Sequence, residues 1–306
     1  MDCVTAALEH LEIGPPVIAA NLAMYPLLLD DEVAPGYLTL DEALAAGVAA
    51  VTEVSDSGRV PELLLTNTAS RPLLLLDGEE LVGANQNRIV NLTILVPAQQ
   101  TLHIPVSCVE AGRWTHRSRQ FSAAGRTHYA SGRARKLEQV SYAMRFDGSR
   151  HADQGAVWAD IDAKASRLSA HSPTHASAAM YERSHSVLVD FERRLEPLPR
   201  QAGALFAING IIAGMDLFDS QATWRKSMRK LVQSYGLDAL DQDDAAASDA
   251  QAQPSRFVEA VKAATRERFP AIGLGEDVRI NGETIAGAAL SLDGKLIHLV
   301  AFRPVA

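Results

Sequence analysis

Residues 73–114 read LLLLDGEELVGANQNRIVNLTILVPAQQTLHIPVSCVEAGRW. Short apolar runs alternate here with polar clusters. Leu73 to Leu76, Ile89 to Val96 and Thr101 to Val109 are too short for helices, are bounded by turn residues, and read as strands. Between and after them fall Asp77, Glu79 and Glu80, then Asn85, Gln86, Asn87 and Arg88, then Cys108, Glu110, Arg113 and Trp114. Strands that each break into a polar cluster are how a rigid sheet presents a site.

The pattern extends in both directions. Val17 to Leu29 reads as one or two strands, near a sheet edge because of Pro26. Thr39-Leu40-Asp41-Glu42 is a helix-start signal for a short helix over 40–50. Val51 to Val54 and Glu62 to Thr66 are further strands. Gly112 to Gly132 reads as a long polar loop. Gly155 to Leu168, Ala176 to Ser184 and Ser186 to Leu195 read as helices. Asn209-Gly210 marks a hairpin between Ala204–Ile208 and Ile211–Leu217. Thr223 to Tyr235 and Arg256 to Arg268 read as helices, 241–254 as an acidic linker, and Asp277 to Phe302 as a strand series.

Strands and helices thus fall into blocks: β-rich 17–110, helical 133–200, hairpin and helices 203–268, C-terminal strands 277–303. Segregated blocks predict an α+β fold. Its sheet is mainly antiparallel and sandwich-like, with a helical insertion and further C-terminal helices and strands. Residues 1–306 are expected to form one compact domain.

Composition narrows the class. The 306 residues are 47% hydrophobic and 22% charged, with a formal net charge of -8, which argues against general nucleic-acid binding. No apolar run approaches the ~20 residues that span a bilayer, and the N-terminus lacks a signal-peptide pattern. The two cysteines, Cys3 and Cys108, suit a reducing cytoplasm better than a structural disulfide. A homo-oligomer is compatible with all of this.

No P-loop, dinucleotide fingerprint, nucleophile elbow or clustered Cys/His ligand set is present. Metal binding through histidine is therefore not expected. A carboxylate-held Mg²⁺ stays open, because such sites need only one or two carboxylates. The polar clusters carry what chemistry there is. Glu79 and Glu80 face opposite ways on a strand, so one at most enters a given site. Gln86 and Asn87 can read a base or ribose, and Arg88 and Arg113 can fork onto phosphate. Trp114 can stack on a purine. Each has a structural alternative. Arg88 could pair with Glu79 or Glu80, Glu110 with Arg113, and Trp114 could close the core. Cys108 shares a strand face with Glu110, whose charge disfavours a thiolate, so it reads as a small buried hydrophobe. Arg113, Arg117, Arg119, Arg126, Arg133, Arg135, Lys136, Arg145 and Arg150 form a local basic run suited to an anion.

Three segments resemble a known family. They are GEELVGANQNR (78–88), IPVSCVEAGRW (104–114), and ALFAINGIIAGMDLFD (204–219) with the helix ending LVQSYGLDAL (231–240). They are similar to the ARPP domain family, the ADP-ribosylglycohydrolase and rhodanese-phosphatase-superfamily-associated proteins. The resemblance runs from GYLTLDEAL (36–44) to Leu240. Family members often have a second glycine after Gly83, where this chain has Ala84. The resemblance implies a place near ADP-ribose or NAD metabolism and brings no catalytic residues with it.

The leading expectation is binding, and processing, of an ADP-ribose-like or other phosphorylated nucleotide. Glu79 or Glu110 would act as general base or metal ligand, Gln86 and Asn87 would read ribose or base, Arg88 and Arg113 would hold phosphate, and Trp114 would stack. The alternative is a non-enzymatic ligand-sensing or protein-interaction module whose clusters are ion pairs. A third reading makes Cys108 a redox or transferase nucleophile.

Overall fold

The computed structural model describes residues 2–30, 32–55, 61–113, 118, 120–242 and 252–304. The chain opens with α1 (Cys3–Glu9), capped by the Asp2 carboxylate, which accepts from Val4 N and Thr5 N. Cys3 is buried on this helix. Next come β1 (Glu12–Ile13), β2 (Val17–Ala19), β3 (Leu22–Leu28) and β4 (Leu38–Thr39). Then α2 (Leu40–Ala45) starts on a capping box between Thr39 and Glu42, as the sequence signal predicts.

The strands around residues 73–114 belong mostly to a closed barrel. It is built from β5 (Ala49–Glu53), β6 (Glu62–Asn67), β8 (Glu79–Gly83), β9 (Arg88–Val90), β11 (Gln100–Cys108) and β12 (Phe121–Thr127), in the order β11-β6-β5-β12-β8-β9. Antiparallel pairing of Cys108 with Arg88 and Val106 with Val90 closes it. A small sheet of β4, β7 (Leu73–Leu75) and β10 (Ile94–Val96) lies alongside. Val51, Leu63, Leu65, Leu81, Ile104 and Phe121 are among the residues of this apolar core. β12 corrects the expected loop over 112–132. Its sequence, FSAAGRT, has one large apolar residue, and its pairing with β8 shifts register between Ala123 and Thr127.

The helical block comprises α3 (Ala130–Phe146), α4 (Gln154–Arg167), α5 (Ala178–Arg183) and α6 (His185–Arg194). The chain then returns to a nine-stranded antiparallel sheet of β1, β2 and β3 with β13 (Gln201–Ile208), β14 (Ile211–Phe218), β15 (Thr265–Pro270), β16 (Glu276–Asn281), β17 (Ala286–Leu292) and β18 (Lys295–Phe302). Between these strands lie α7 (Gln221–Leu240) and α8 (Pro254–Ala263). The turn Asn209-Gly210 has φ of +50 and +75, the signs that a type I′ hairpin requires. The helix expected over 256–268 ends at Ala263, because Ala264 is extended and Thr265–Pro270 pairs with β16.

β13 is buried throughout because both sheet faces are covered. Ala204, Phe206 and Ile208 pack into one core with Trp224, Leu231 and Tyr235 of α7. Leu205 and Ala207 pack into another with Val4 and Leu8 of α1 and Phe257 and Val261 of α8. Among the described residues, no helix is long and apolar enough to cross a membrane.

Asp219 links β14 to α7. It accepts from Tyr37 Oη at 2.5 Å, and burial pushes its carboxyl from 3.8 up to about 6. The folded state therefore binds the extra proton between those values. Asp219 costs stability above about pH 6, and the cost is relieved as pH falls toward 4. Asp219→Asn keeps the acceptor for Tyr37. It is expected to raise stability at pH 8 by about 1–2 kcal/mol, allowing for partial exposure, and to have almost no effect near pH 4. Thermal melts at the two pH values check this.

Candidate functional site

The turn after β7 sets three carboxylates in three directions. Gly78 has φ +80, and a side chain there would meet the Arg133 stem at 2.9 Å, so glycine lets Arg133 lie across the turn. Asp77 receives Arg133 Nε at 3.2 Å and also Lys136 Nζ. Glu79 and Glu80 diverge as strand neighbours must. Glu79 accepts from Lys230 Nζ at 2.5 Å and from Leu76 N at 2.9 Å, and Lys230 also reaches Asp41 at 2.6 Å. Burial works against the charge of Lys230, but Glu79 and Asp41 hold its pKa above the ordinary lysine value. Glu80 takes Arg126 through Nε at 2.6 Å and Nη2 at 3.0 Å.

A second cluster sits where β9 meets the end of β11. Gln86 donates to the Glu110 carbonyl at 3.0 Å, and its Oε1 accepts from Arg88 Nη1 at 2.9 Å and from the Cys108 thiol at 3.0 Å. Glu110 accepts from Arg113 Nε at 2.8 Å and Thr174 Oγ1 at 2.9 Å. Arg113 also donates to Ala84 O and to Asn87 Oδ1, both at 3.0 Å. Ala84 sits at φ +39, a left-handed position that glycine would adopt with less strain. All of these side chains except that of Thr174, which is half-buried, are buried. Burial pushes the Cys108 thiol up, which keeps it neutral.

Two further features were not read from the sequence. Arg133 is fully buried between Asp77 and Asp216, reaching Asp216 at 2.7 Å and 3.3 Å. Tyr235 Oη donates to Asp216 at 3.1 Å, and His298 Nε2 lies 3.3 Å from it. Burial opposes the Asp216 charge, yet Arg133 and His298 hold its pKa below the ordinary carboxylate range. A lone aspartate in MDLF and a lone histidine in LIHL, each inside an apolar strand, were the available signals. The other feature is a groove of about 470 Å³ beside the β13–β14 hairpin. Ile208, Ile211, Ile212 and Phe302 give it apolar walls, and Arg135, Arg167 and Arg303 line it together with Asp238 and Asp241. Arg135 is held by Asp160 at 2.5 Å and Arg167 by Asp241 at 2.7 Å.

The model of the ARG and Rhodanese-Phosphatase-superfamily-associated Protein domain matches residues 10–302. The chain belongs to this family. No curated protein and no solved structure matches it.

In this ARPP domain, the residues expected to form one site divide into two groups. Gln86, Asn87, Arg88, Cys108, Glu110 and Arg113 come together, joined to Glu80 through Asn87 Nδ2 at 3.4 Å. Glu79 points away from them toward α7, and its cation is Lys230 rather than Arg88. Trp114, Arg117 and Arg119 lie outside the described residues. Of the basic run, Arg126, Arg133 and Lys136 are spent on buried carboxylates, while Arg135 reaches the groove. Asp77, Glu79, Glu80 and Glu110 each already hold a cation of the protein, so this donor set does not fit Mg²⁺. Among the described residues, no group of three or more His, Cys, Asp or Glu side chains is arranged to hold a metal.

Proposed function

We propose that the protein binds an ADP-ribose-like or other phosphorylated nucleotide in the groove beside the β13–β14 hairpin. One observation carries this reading: Arg135, Arg167 and Arg303 share a hollow of about 470 Å³ with an apolar wall. That volume suits a small molecule. Guanidinium forks match phosphate oxygens, and the apolar side chains can take the face of a base. Asp160 and Asp241 hold Arg135 and Arg167 in place without using all their donors. An adjoining hollow of about 360 Å³ shares Ile211, Ile212 and Arg303. A two-part ligand would thus cross Arg303 at its middle. The buried cluster of Gln86, Asn87, Arg88, Glu110 and Arg113 then serves as framework. The family's association with rhodanese-phosphatase proteins supports a phosphate-bearing ligand.

Calorimetry with ADP-ribose, NAD and AMP tests the reading. The Arg167→Gln/Arg303→Gln double variant is expected to bind at least tenfold more weakly than wild type, and raising the salt should weaken wild-type binding. No heat from wild type at millimolar nucleotide would rule out this ligand class. A second reading, a non-enzymatic sensing or interaction module, is favoured by the internal pairing of Glu79 and Glu110.

A further inference from the structure

The connection between α4 and α5, residues 168–177, passes through the left-handed region at Ser169 (φ +51) and His175 (φ +52). Neither is glycine, so the surrounding contacts must impose these turns. They are firm. Gly112 N donates to Thr174 O and Ser177 N to Val109 O, both at 2.9 Å, and Thr174 Oγ1 donates to Glu110 Oε1 at 2.9 Å. On this loop His175 Nδ1 sits 2.8 Å from Asp162 Oδ1 on α4, with both side chains about half exposed. That helix is itself pinned by Lys164 to Asp238 at 2.7 Å.

His175 and Asp162 line a pocket of about 260 Å³ together with His171, Ser166, Ser172 and Ile161. An ionised carboxylate only accepts, so Nδ1 carries the proton that faces Asp162. When the ring is neutral, Nε2 keeps its lone pair, the arrangement of a base and its orienting group. Among the described residues, the pocket lining contains neither Lys nor Arg, which favours a neutral acyl compound over a phosphate.

We propose that this pocket hydrolyses small acyl esters, with His175 as the catalytic residue and Asp162 as the positioning residue. Nε2 takes a proton from a bound water as the water oxygen bonds to the ester carbonyl carbon. The bond from that carbon to the alkoxy oxygen then breaks, and the proton on Nε2 passes to the departing alkoxide. An alcohol and a carboxylic acid result, and no other reactant is consumed. The inference does not rest on the nucleotide groove.

Hydrolysis of p-nitrophenyl acetate by the full chain tests it. Wild type is expected to show saturable turnover. His175→Asn suits the left-handed backbone but supplies no base, and should lower kcat/KM at least tenfold. Asp162→Asn can donate to Nδ1 and so move the ring proton to Nε2. It should lower kcat at least tenfold with KM unchanged, a split that a merely structural role would not give. His185→Gln removes an exposed imidazole outside the pocket and should leave turnover unchanged. Turnover that does not saturate, or that survives in His175→Asn, overturns the proposal.

Discussion

Arg133→Met is expected to lower the unfolding free energy at pH 7 by about 3–5 kcal/mol. The guanidinium lies on α3 between Asp77 of the barrel-side turn and Asp216 of β14, and over the Phe302 ring at 5.2 Å. Methionine fills much of the volume but leaves two buried carboxylates short of a cation. Lys136 still serves Asp77, and His298 and Tyr235 still face Asp216, so the loss is not that of two bare charges. The pH dependence has a definite sign. In wild type the Asp216 carboxyl is held below the ordinary range. Its contribution is present above that range and is lost only as pH falls through the depressed folded value. In the variant the stranded carboxylates take up protons more readily, so the penalty should shrink as pH falls from 7 toward 4. Urea titrations at both ends check the magnitude and the trend. A loss under about 1 kcal/mol at pH 7 would show that this network does not tie the barrel to the sheet.

Local signals carried far along the chain. The alternation in 73–114 gave antiparallel strands, Asn209-Gly210 gave the hairpin, and Thr39 with Glu42 gave the start of α2. Strand geometry alone separates Glu79 from Glu80. Closure of the barrel was not legible, because it depends on long-range pairing of β11 with β9 and of β12 with β8. The inward turn of Arg133 and Lys136 was hidden for a related reason. A basic run looks solvated until the turn at Asp77 and the strand carrying Asp216 are brought against it. Glu79 finds its cation 151 residues away, at Lys230, with nothing nearby in sequence to announce it. The groove is assembled from α3, α4, the β13–β14 hairpin, the end of α7 and the end of β18, so no single segment displays it.

Arg113→Met is expected to cost about 3–5 kcal/mol, and Glu110→Gln about 2–3 kcal/mol. Losing Arg113 strands the Glu110 carboxylate along with Asn87 Oδ1 and the Ala84 carbonyl. Losing the Glu110 charge is milder, because a glutamine oxygen can still accept from Arg113. The double variant should cost clearly less than the two single losses combined, since the pair fails as a unit. Chemical denaturation of the four proteins gives that coupling. The same Glu110→Gln protein separates the roles proposed for the carboxylate. If Glu110 holds the end of β11 and the 168–177 connection together, the variant melts earlier. Below its melting point it should still bind nucleotide in the groove with wild-type affinity, because no groove residue has changed. If Glu110 instead contacts the ligand, affinity falls while the protein is still fully folded. Melting and calorimetry on one variant therefore distinguish a framework charge from a binding one.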